Sequence, residues 1–202
     1  MSKIKLVLEE IRQGRPVIIV DESDREDEGD LVLAAEMANE FNLAFCIRNG
    51  GGLMCLPCKR DRLERLQIPM MPSNGLDPLE TPFAVSIDAV ESTTTGMSVQ
   101  DRMKTIAVLL DETSAPAELH YPGHLFPLRA KDTLLLERRG HTESSLELVK
   151  LAGYKPVSVI VEIMNEDGTM KRGQQLHDFA KIYNLMIISV EEIYDEVYNS
   201  GL

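Results

Sequence analysis

The sequence predicts an α+β fold, a single layered domain in which helices pack on a mixed β-sheet. Short β-prone apolar runs alternate along the whole chain with segments whose apolar residues recur at helical spacing. No internal repeat, low-complexity segment or linker interrupts this alternation, so we expect residues 1–202 to form one domain. The alternation by itself is compatible with an α/β as well as an α+β arrangement.

Periodicity and end signals place the elements of the first half of the chain. Apolar residues at i, i+3, i+4 and i+7 predict the first helix, and Ser2 can cap it. Ser98 and Asp101 resemble a capping box at the start of a later helix. In chain order we predict helix 3–13, strands 17–20 and 31–35, a helix from Asn39 to Ile47, strand 53–56, helix 59–66, strand 83–88 and the helix opened by Ser98.

The second half begins with residues 111–129, which are rich in Pro and His and are predicted to form a loop. Ser189 and Glu192 form a capping box before the last helix. The other predicted elements are strand 134–136, a helix opened by residues 138–142 and ending at Ala152, strand 157–164, turn 165–168, a helix through Leu176, Phe179, Ala180 and Tyr183, and strand 186–188.

Composition and charge exclude several classes of partner. Of the 202 residues, 44% are hydrophobic, which is enough for one good core or at most two small domains. The formal net charge of −12 repels phosphate backbones and anionic membranes, so we expect neither a nucleic-acid nor a membrane partner. No apolar run approaches the roughly 20 residues of a membrane span. The N-terminus shows no signal-peptide core, and we therefore expect a cytoplasmic protein.

Residues 21–30 give the strongest chemical signal in the chain. Seven of these ten residues are carboxylates around a single cation, Arg25, and β-prone runs flank the segment on both sides. Like charges at that density repel one another, and a divalent cation held by oxygen ligands would compensate them. A solvated acidic loop is the alternative interpretation. The spacing does not fit an EF-hand, because the glycine and the terminal glutamate of that loop are missing.

Two helix starts carry groups that can bind an anion. Two arginines, a glycine and a hydroxyl open the helix that follows residue 137, in the order Arg138-Arg139-Gly140-His141-Thr142. The hydroxyls of residues 93–95 precede the other helix, where they can bind an anion or simply cap the helix.

Two single residues are candidates for proton transfer. His124 lies in a segment rich in Pro and Gly, where a functional role and a surface position are both open. Glu162 lies in an apolar strand, opposite the face shared by residues 157, 159, 161 and 163. An unpaired acid buried there would be costly, so we expect Glu162 to reach into a polar site.

Cys55 and Cys58 form a C-x-x-C sequence. A redox motif is one interpretation and a zinc site another, although no second cysteine pair exists to complete such a site. The alternative is that both cysteines are small packing residues.

Five motifs follow one another along the chain. They are Asp-Arg-Glu-Asp-Glu-Gly-Asp-Leu at 24–31, Thr-Thr-Gly-Met-Ser-Val-Gln-Asp-Arg at 94–102, Pro-Gly-His at 122–124, Arg-Arg-Gly-His-Thr-Glu at 138–143 and Glu-Ile-Met-Asn-Glu-Asp-Gly-Thr-Met at 162–170. Together they resemble the 3,4-dihydroxy-2-butanone 4-phosphate synthase family of riboflavin biosynthesis. The resemblance covers nearly the whole chain and is to the single-function form, without a GTP cyclohydrolase II domain.

The resemblance implies the conversion of ribulose 5-phosphate to 3,4-dihydroxy-2-butanone 4-phosphate and formate, with Mg²⁺ or Mn²⁺ required. It also implies a homodimer with sites at or near the subunit interface. By motif, the implied metal ligands are Glu26 and His141, and the implied acid–base residues are His124 and Glu162. The implied substrate shell consists of Arg25, Glu26, Asp30, Arg138, Arg139, Gly140, His141, Thr142 and Glu162, with Glu28, Cys55 and Thr95 as further lining of the site.

The chain departs from the family pattern in three places. Asp27 stands where Asn is common, and it adds negative charge beside the expected metal. Residues 49–52, Asn-Gly-Gly-Gly, replace a segment that often carries polar side chains, so a substrate contact from this loop is in question. Val161 replaces a frequent Cys, and we expect this change to affect packing only.

Two other functions fit parts of the same pattern. An aldose–ketose isomerase could act on a phosphosugar through the same enediol, but it would release no formate. A metal- or nucleotide-binding regulatory domain would not need an acidic loop together with His124 and Glu162 as proton carriers.

Overall fold

The computed structural model describes residues 2–77, 79, 81–91 and 93–199. Within these residues seven strands form one sheet in the order β4-β5-β3-β6-β2-β1-β7. The strands are β1 Val17–Val20, β2 Gly29–Ala34, β3 Cys55–Cys58, β4 Ile87–Ala89, β5 Leu119–Arg129, β6 Ser158–Glu162 and β7 Ile187–Ser189. The β1–β7 and β3–β5 pairs are parallel and the other pairs antiparallel, which confirms the predicted mixed sheet of an α+β fold.

Helices cover both faces of the sheet. They are α1 Lys3–Arg12, α2 Glu40–Asn49, α3 Arg60–Arg65, α4 Val99–Leu110, α5 His141–Leu151, α6 Gln174–Tyr183 and α7 Val190–Tyr194. Buried side chains of α2, α3, α4 and α6 share one apolar cluster with the sheet. Those of α1, α5 and α7 share a second cluster with the opposite sheet face. Because both faces are covered, central strands such as β2 are buried along their whole length.

The alternation of side chains along β6 matches the prediction. Val159 and Val161 belong to the cluster beneath α2 and α6, together with the flanking Val157 and Ile163. Ile160 belongs to the cluster on the other face. This period of two places Glu162, at the end of the strand, on the same side as Ile160 and α5.

Three of the four predicted helix caps are confirmed, whereas the Ser2 side chain makes no capping hydrogen bond at the start of α1. The Asn39 side chain accepts hydrogen bonds from the backbone N–H groups of Phe41 and Asn42. Ser98 accepts one from the Asp101 N–H at 3.1 Å. The Ser189 side chain accepts one from the Glu192 N–H at 3.0 Å, and the Glu192 carboxylate accepts one from the Ser189 N–H at 2.9 Å.

Two element predictions in the second half are wrong. Residues 111–129 are not all loop, because residues 116–118 form a short 3-10 helix and β5 occupies Leu119–Arg129. The prolines and the glycine of this segment are typical of loops, so the sequence did not indicate a strand. Proline still has a carbonyl acceptor, and that of Pro127 accepts a hydrogen bond from the Ala84 N–H at 2.9 Å. Residues 134–136 form a 3-10 helix instead of a strand, with the Leu134 backbone at a φ of +50°.

Strand boundaries also differ from the prediction, and one difference bears on the site. Strand 31–35 begins earlier, at Gly29, so Asp30 lies in β2 and not in the acidic loop before it. Strand 53–56 is observed at Cys55–Cys58, and strand 83–88 is reduced to Ile87–Ala89 with separate bridges at Phe83 and Ala84.

Among the described residues, no helix combines the length and the apolar character that a membrane span requires.

Candidate active site

A cavity of about 290 Å³ opens where β2, β3 and β6 meet the start of α5. Nine residues of the predicted site line it: Arg25, Glu26, Glu28, Asp30, Cys55, Arg138, His141, Thr142 and Glu162. Leu79, Thr81, Phe83, Leu128 and Ile160 complete the lining. Charged and apolar side chains therefore line the same small space.

Two acids face each other across the sheet at this cavity. In the antiparallel β2–β6 pair, Asp30 is directly opposite Glu162. Asp30 Oδ1 and Glu162 Oε2 are buried and accept no hydrogen bond within the described part of the chain. Directly opposed acids that each keep one buried oxygen unpartnered are unfavourable, so this pair is suited to receive a cation or a hydrogen-bonding ligand.

Asp21 organises the acidic loop between β1 and β2. Its Oδ2 accepts hydrogen bonds from Arg25 Nη1 at 2.7 Å and from the Glu26 N–H at 3.1 Å. Its Oδ1 accepts one from the Glu28 N–H at 2.9 Å. Internal donors thus satisfy this buried carboxylate, and they turn Glu26 and Glu28 towards the cavity. The alternative of a wholly solvated acidic loop does not describe these residues.

The Asp27 departure is accommodated at the loop tip. Its backbone φ is +54°, in the left-handed region that Asn and Asp tolerate better than most residues. Its side chain lies 3.6 Å from Arg172 Nη1, and a second nitrogen of the same arginine lies 3.5 Å from Glu28. Arg172 therefore partly compensates the extra negative charge.

His141 is the first residue of α5 and lies among the carboxylates. Its Nδ1 is 3.3 Å from Glu26 Oε2 and 3.9 Å from Asp30 Oδ1, while its Nε2 is 3.9 Å from Asp21 Oδ1. Burial favours the neutral ring, but the charges of Asp30, Asp21 and Glu26 and the hydrogen bond with Glu26 raise the pKa of His141 to about 9.

The same environment shifts the pKa values of the carboxylates in opposite directions. Burial would raise the pKa of Glu26, but the hydrogen bond with His141 and the charge of Arg25 lower it to about 2. Burial raises the pKa of Asp30 to about 7, and the negative charges of Glu162 and Glu26 add to the effect. Burial also raises the pKa values of Glu162 and Glu28. Acids that hold their protons differently at neutral pH are characteristic of proton-transfer sites.

The residues fit a hard divalent cation. Asp21, Glu26 and His141 each offer one ligand atom, and these atoms lie within 4.8 Å of one another. His141 Nε2 is buried and makes no hydrogen bond among the described residues. Carboxylate oxygens with one imidazole suit Mg²⁺ or Mn²⁺. Asp21 was not predicted as a ligand, and no pattern within the acid-rich segment distinguishes it from its neighbours.

Arg138 is held rigidly beside the cavity by a buried acid that the sequence analysis did not single out. Its Nη1 donates to Glu143 Oε2 at 2.7 Å, and its Nη2 donates to Leu79 O and to Thr81 Oγ1, each at 3.2 Å. The other Glu143 oxygen accepts from the Lys131 N–H at 3.1 Å. The Arg138 Nε also donates to Leu79 O at 3.2 Å, so this fixed arginine can present its remaining Nη1 N–H to an anion without losing side-chain freedom.

Gly140 allows the two cavity arginines to approach. A Cβ at this position would collide with Arg138 Nη1 and would lie 2.9 Å from Arg25 Nη2. Arg139, in contrast, does not line this cavity. Its guanidinium lies 3.8 Å from the centroid of the Tyr194 ring, beside a neighbouring cavity that Arg25 also lines.

His124 and Thr95 lie elsewhere in the same chain and do not line the cavity. His124 is on β5, and its Nδ1 is 2.6 Å from Asp88 Oδ2 on β4. The loop that contains Thr95 packs beside this pair, since a Cβ at Gly96 would collide with Asp88. The predicted site is therefore divided into two groups of residues within one copy of the chain.

Cys55 and Cys58 occupy opposite faces of β3. Cys55 packs with the α1–α5–α7 cluster and lines the cavity, whereas Cys58 packs in the other cluster. Burial raises the pKa of both thiols, that of Cys58 to about 12. The redox and zinc interpretations are therefore not favoured, and packing explains both residues.

Comparisons with known proteins identify the family that this chain resembles. A sequence model of the family described as 3,4-dihydroxy-2-butanone 4-phosphate synthase matches residues 5–196. The chain is 41% identical over 193 residues to the 3,4-dihydroxy-2-butanone 4-phosphate synthase of Edwardsiella ictaluri (strain 93-146), covering 96% of this chain and 88% of that protein. It is 44% identical over 194 residues to the bifunctional riboflavin biosynthesis protein RIBA 1, chloroplastic, of Arabidopsis thaliana, covering 95% of this chain and 36% of that protein.

Solved structures show the same fold. A crystal structure of 3,4-dihydroxy-2-butanone 4-phosphate synthase in complex with two magnesium ions superposes with a TM-score of 0.92 at 35% identity, covering 99% of this chain and 98% of that one. A cation-free form of such a synthase superposes with a TM-score of 0.89 at 34% identity, covering 100% of both chains. On the family match, the sequence relatives and these structures together, the chain belongs to the 3,4-dihydroxy-2-butanone 4-phosphate synthase family.

Proposed function

We propose that this protein converts D-ribulose 5-phosphate to L-3,4-dihydroxy-2-butanone 4-phosphate and formate for riboflavin biosynthesis, as a carbon–carbon lyase that requires Mg²⁺ or Mn²⁺. The observation that carries the proposal is the buried opposition of Asp30 and Glu162 beside His141, with one oxygen of each acid unpartnered within the described chain. A cytoplasmic location accompanies this proposal.

The reaction demands several proton carriers around one small molecule. Loss of one carbon from a ketose phosphate needs enolisation, loss of water, skeletal rearrangement and hydrolytic cleavage, and each step moves a proton. Glu162, whose pKa burial raises, is placed to take and return a proton. Asp30, opposite Glu162 across the strands, can hold a substrate hydroxyl in position.

Glu26 and His141 are the proposed ligands of the divalent cation, and Asp21 lies close enough to be a third. When bound, the cation would stabilise an enediolate and polarise the neighbouring carbonyl. The residues contribute two carboxylates and one imidazole, which leaves coordination positions for substrate oxygens and water.

The start of α5 is the proposed binding site of the substrate phosphate. Arg25 and Arg138 supply positive charge, and Gly140 allows both guanidinium groups to approach the same place. The Thr142 N–H and hydroxyl lie in the first turn of α5, where anions are stabilised. Arg139 is also proposed as part of the substrate shell because of its positive charge, although its guanidinium stacks on Tyr194. Glu28 and Cys55 are proposed only to line the site.

We further propose a homodimer in which His124 and Thr95 of one copy complete the cavity of the other. The support is that neither residue lines the cavity of its own chain, although both belong to the family motifs. Exposed apolar side chains surround this region at the end of the β4–β5 pair, namely Val90, Met97 and Tyr121. Contact with a second copy would cover them.

A formate assay tests the proposed function. The metal-free protein should release no formate from ribulose 5-phosphate, and added Mg²⁺ should restore release. An aldose–ketose isomerase would instead yield an isomeric pentose phosphate without formate. Full turnover in a chelated preparation would contradict the metal requirement. Absence of formate with Mg²⁺ present would contradict the reaction itself.

A further inference from the structure

Asp88 commits both oxygens of its side chain to one residue, His124. Asp88 Oδ1 accepts a hydrogen bond from the His124 backbone N–H at 3.0 Å, and Asp88 Oδ2 lies 2.6 Å from His124 Nδ1. The Asp88 side chain is 2% exposed, so water cannot replace either contact. The two residues lie on the antiparallel strands β4 and β5, next to an irregularity in their register between Ile87 and Asp88.

A fixed loop closes over this pair. Gly96, with a φ of +82°, packs so tightly that a Cβ would collide with Asp88 and lie 2.7 Å from His124 Nδ1. The buried Asp101 carboxylate holds the loop by accepting hydrogen bonds from Thr94 Oγ1 at 2.7 Å and from the Gly96 N–H at 3.2 Å. Arg102, on the same helix as Asp101, is the neighbouring cation that interacts electrostatically with Asp88. Neither partner of the Asp88–His124 pair can therefore rotate freely.

The contacts determine where the histidine carries its hydrogen. An ionised carboxylate can only accept a hydrogen bond, so His124 Nδ1 must be the donor. In the neutral ring the hydrogen then lies on Nδ1, and Nε2 keeps its lone pair. The His124 side chain is 40% exposed, and its Nε2 makes no hydrogen bond within the described part of the chain. The ring thus presents a free basic nitrogen to the outside of its own subunit.

We propose that Asp88 is a positioning residue that fixes the tautomer and orientation of His124, so that Nε2 is the atom that takes and returns a proton. This inference rests on the proposed function for the role of His124 in turnover. Asp88 itself touches neither the cavity nor a reacting atom. Its carboxylate orients the ring and stabilises the charge that the ring acquires when Nε2 is protonated.

The Asp88→Asn substitution reverses the pattern of donors. The backbone N–H of His124 still requires an acceptor, so the amide oxygen should stay there and the amide NH₂ should face Nδ1. His124 Nδ1 must then accept, and the ring hydrogen moves to Nε2. Long-range ¹H–¹⁵N correlation spectra of ¹⁵N-histidine-labelled protein in mildly alkaline buffer report the tautomer directly. The chain has four histidines, and His124→Gln identifies the signal of interest.

We expect the hydrogen on Nδ1 in the wild-type protein and on Nε2 in the Asp88→Asn variant. With ribulose 5-phosphate and Mg²⁺, this variant should lose about 10²-fold or more in kcat with little change in KM. Asp101→Asn is the matched control, because Asp101 is equally buried and supports the same loop. It should leave the His124 tautomer on Nδ1.

Two results would overturn the proposal. One is a wild-type spectrum with the hydrogen on Nε2, which needs no variant and no turnover. The other is an Asp88→Asn variant that moves the hydrogen to Nε2 yet keeps the wild-type kcat. Failure of the proposed function would appear differently, as wild-type protein that releases no formate whatever its tautomer. If the Asp88→Asn variant does not fold, the wild-type spectrum alone tests the proposal, because it reports which nitrogen of His124 carries the hydrogen.

Discussion

Glu162 combines three properties that a packing residue would not need. It lies at the end of an apolar strand, directly opposite a second acid, and one of its oxygens is buried without a hydrogen-bond partner among the described residues. Burial also raises its pKa. A carboxylate in this state gains little for the stability of the fold, which leaves proton transfer or ligand binding as the reason for its position.

Glu162→Gln should separate proton transfer from packing. The amide keeps the shape of the side chain and can still hydrogen-bond, but it cannot exchange a proton at neutral pH. We expect a folded variant with little change in Tm that binds substrate and loses about 10²–10⁴-fold in the rate of formate release. Glu166→Gln, at an exposed turn position of the same motif, is the control and should behave as wild type. Near-normal formate release would remove Glu162 from the catalytic residues.

Glu143→Gln should show how much the fixed orientation of Arg138 contributes to substrate binding. Glu143 is fully buried and accepts from both Arg138 and the Lys131 N–H, whereas a glutamine offers only one acceptor oxygen. Loss of one charge-assisted bond costs roughly 1.5–3 kcal/mol. We expect KM for ribulose 5-phosphate to rise about tenfold or more, with a smaller change in kcat, as measured by initial rates.

Glu147→Gln is the matched comparison on the same helix. Glu147 is also buried, but it accepts from Tyr198 OH at 2.8 Å instead of from a cavity residue. This variant should lower Tm without raising KM. If both variants raise KM equally, Glu143 has no special effect on Arg138.

The sequence indicated the residues that line the cavity better than those that support them. Glu26, His141 and Glu162 stand out because an acid-rich loop, a helix start and an apolar strand make each of them unusual. Asp21 and Glu143 do not stand out, since each is one acid in a polar segment. Their importance comes from burial and from partners elsewhere in the fold, and local pattern does not contain that information.

At the scale of elements, residues 49–52, the last residue of α2 and the three that follow it, have a structural role that their composition did not suggest. They supply no side chain to the cavity, but their backbone packs against the end of β6. The Gly52 N–H donates to the Glu162 carbonyl at 3.2 Å, and a Cβ on Gly52 would collide with the Glu162 carboxylate. Gly52 therefore limits the positions that the Glu162 side chain can adopt.

Gly52→Ala should displace the Glu162 carboxylate. We expect a large loss of kcat, approaching that of Glu162→Gln, together with a modest fall in Tm from the steric conflict. Gly153→Ala is the control, because Gly153 has a φ of +95° and open space around it. It should cost about 1 kcal/mol of stability through backbone strain while leaving kcat unchanged. Wild-type kcat in Gly52→Ala would show that Glu162 tolerates a shifted position.

Elements whose apolar residues recur with a helical or strand period could be predicted from the sequence, and elements without such a period could not. The helices α1 and α6 and the strand β6 follow from repeating apolar positions. The strand β5 contains Pro122, Gly123 and Pro127, which ordinarily mark loops. It forms because β3 and β4 flank it on both sides, and this tertiary pairing outweighs the local preference.

At the scale of the whole molecule, the separation of His124 from the cavity predicts complementation between inactive variants. If each site combines His124 of one subunit with Glu162 of the other, His124→Gln and Glu162→Gln should each be nearly inactive alone. A mixed dimer would contain one site with both substitutions and one site with neither. Unfolding and refolding the two variants together should therefore restore about a quarter of wild-type activity.

The controls for complementation are the two variants refolded separately and a mixture that is never unfolded. Formate release provides the rate, and sedimentation velocity provides the oligomeric state. Mixed refolding that recovers no activity, with each variant dimeric, would show that His124 and Glu162 do not come from different subunits. A monomeric wild-type protein with full activity would contradict the homodimer itself.

The two acids Asp30 and Glu162 face each other only when β2 and β6 pair in the native register, so the site depends on correct assembly of the sheet. A slip of β6 by one residue along β2 would turn the side chains of β6 to the other face and would move Glu162 away from Asp30, towards the apolar cluster beneath α2 and α6. Such a molecule would lack the acid pair beside the proposed cation ligands Glu26 and His141, and we expect it to bind a divalent cation more weakly. A cation that binds more tightly to molecules with the native register would raise their population by mass action during folding. Metal supply would then favour correct folding as well as catalysis.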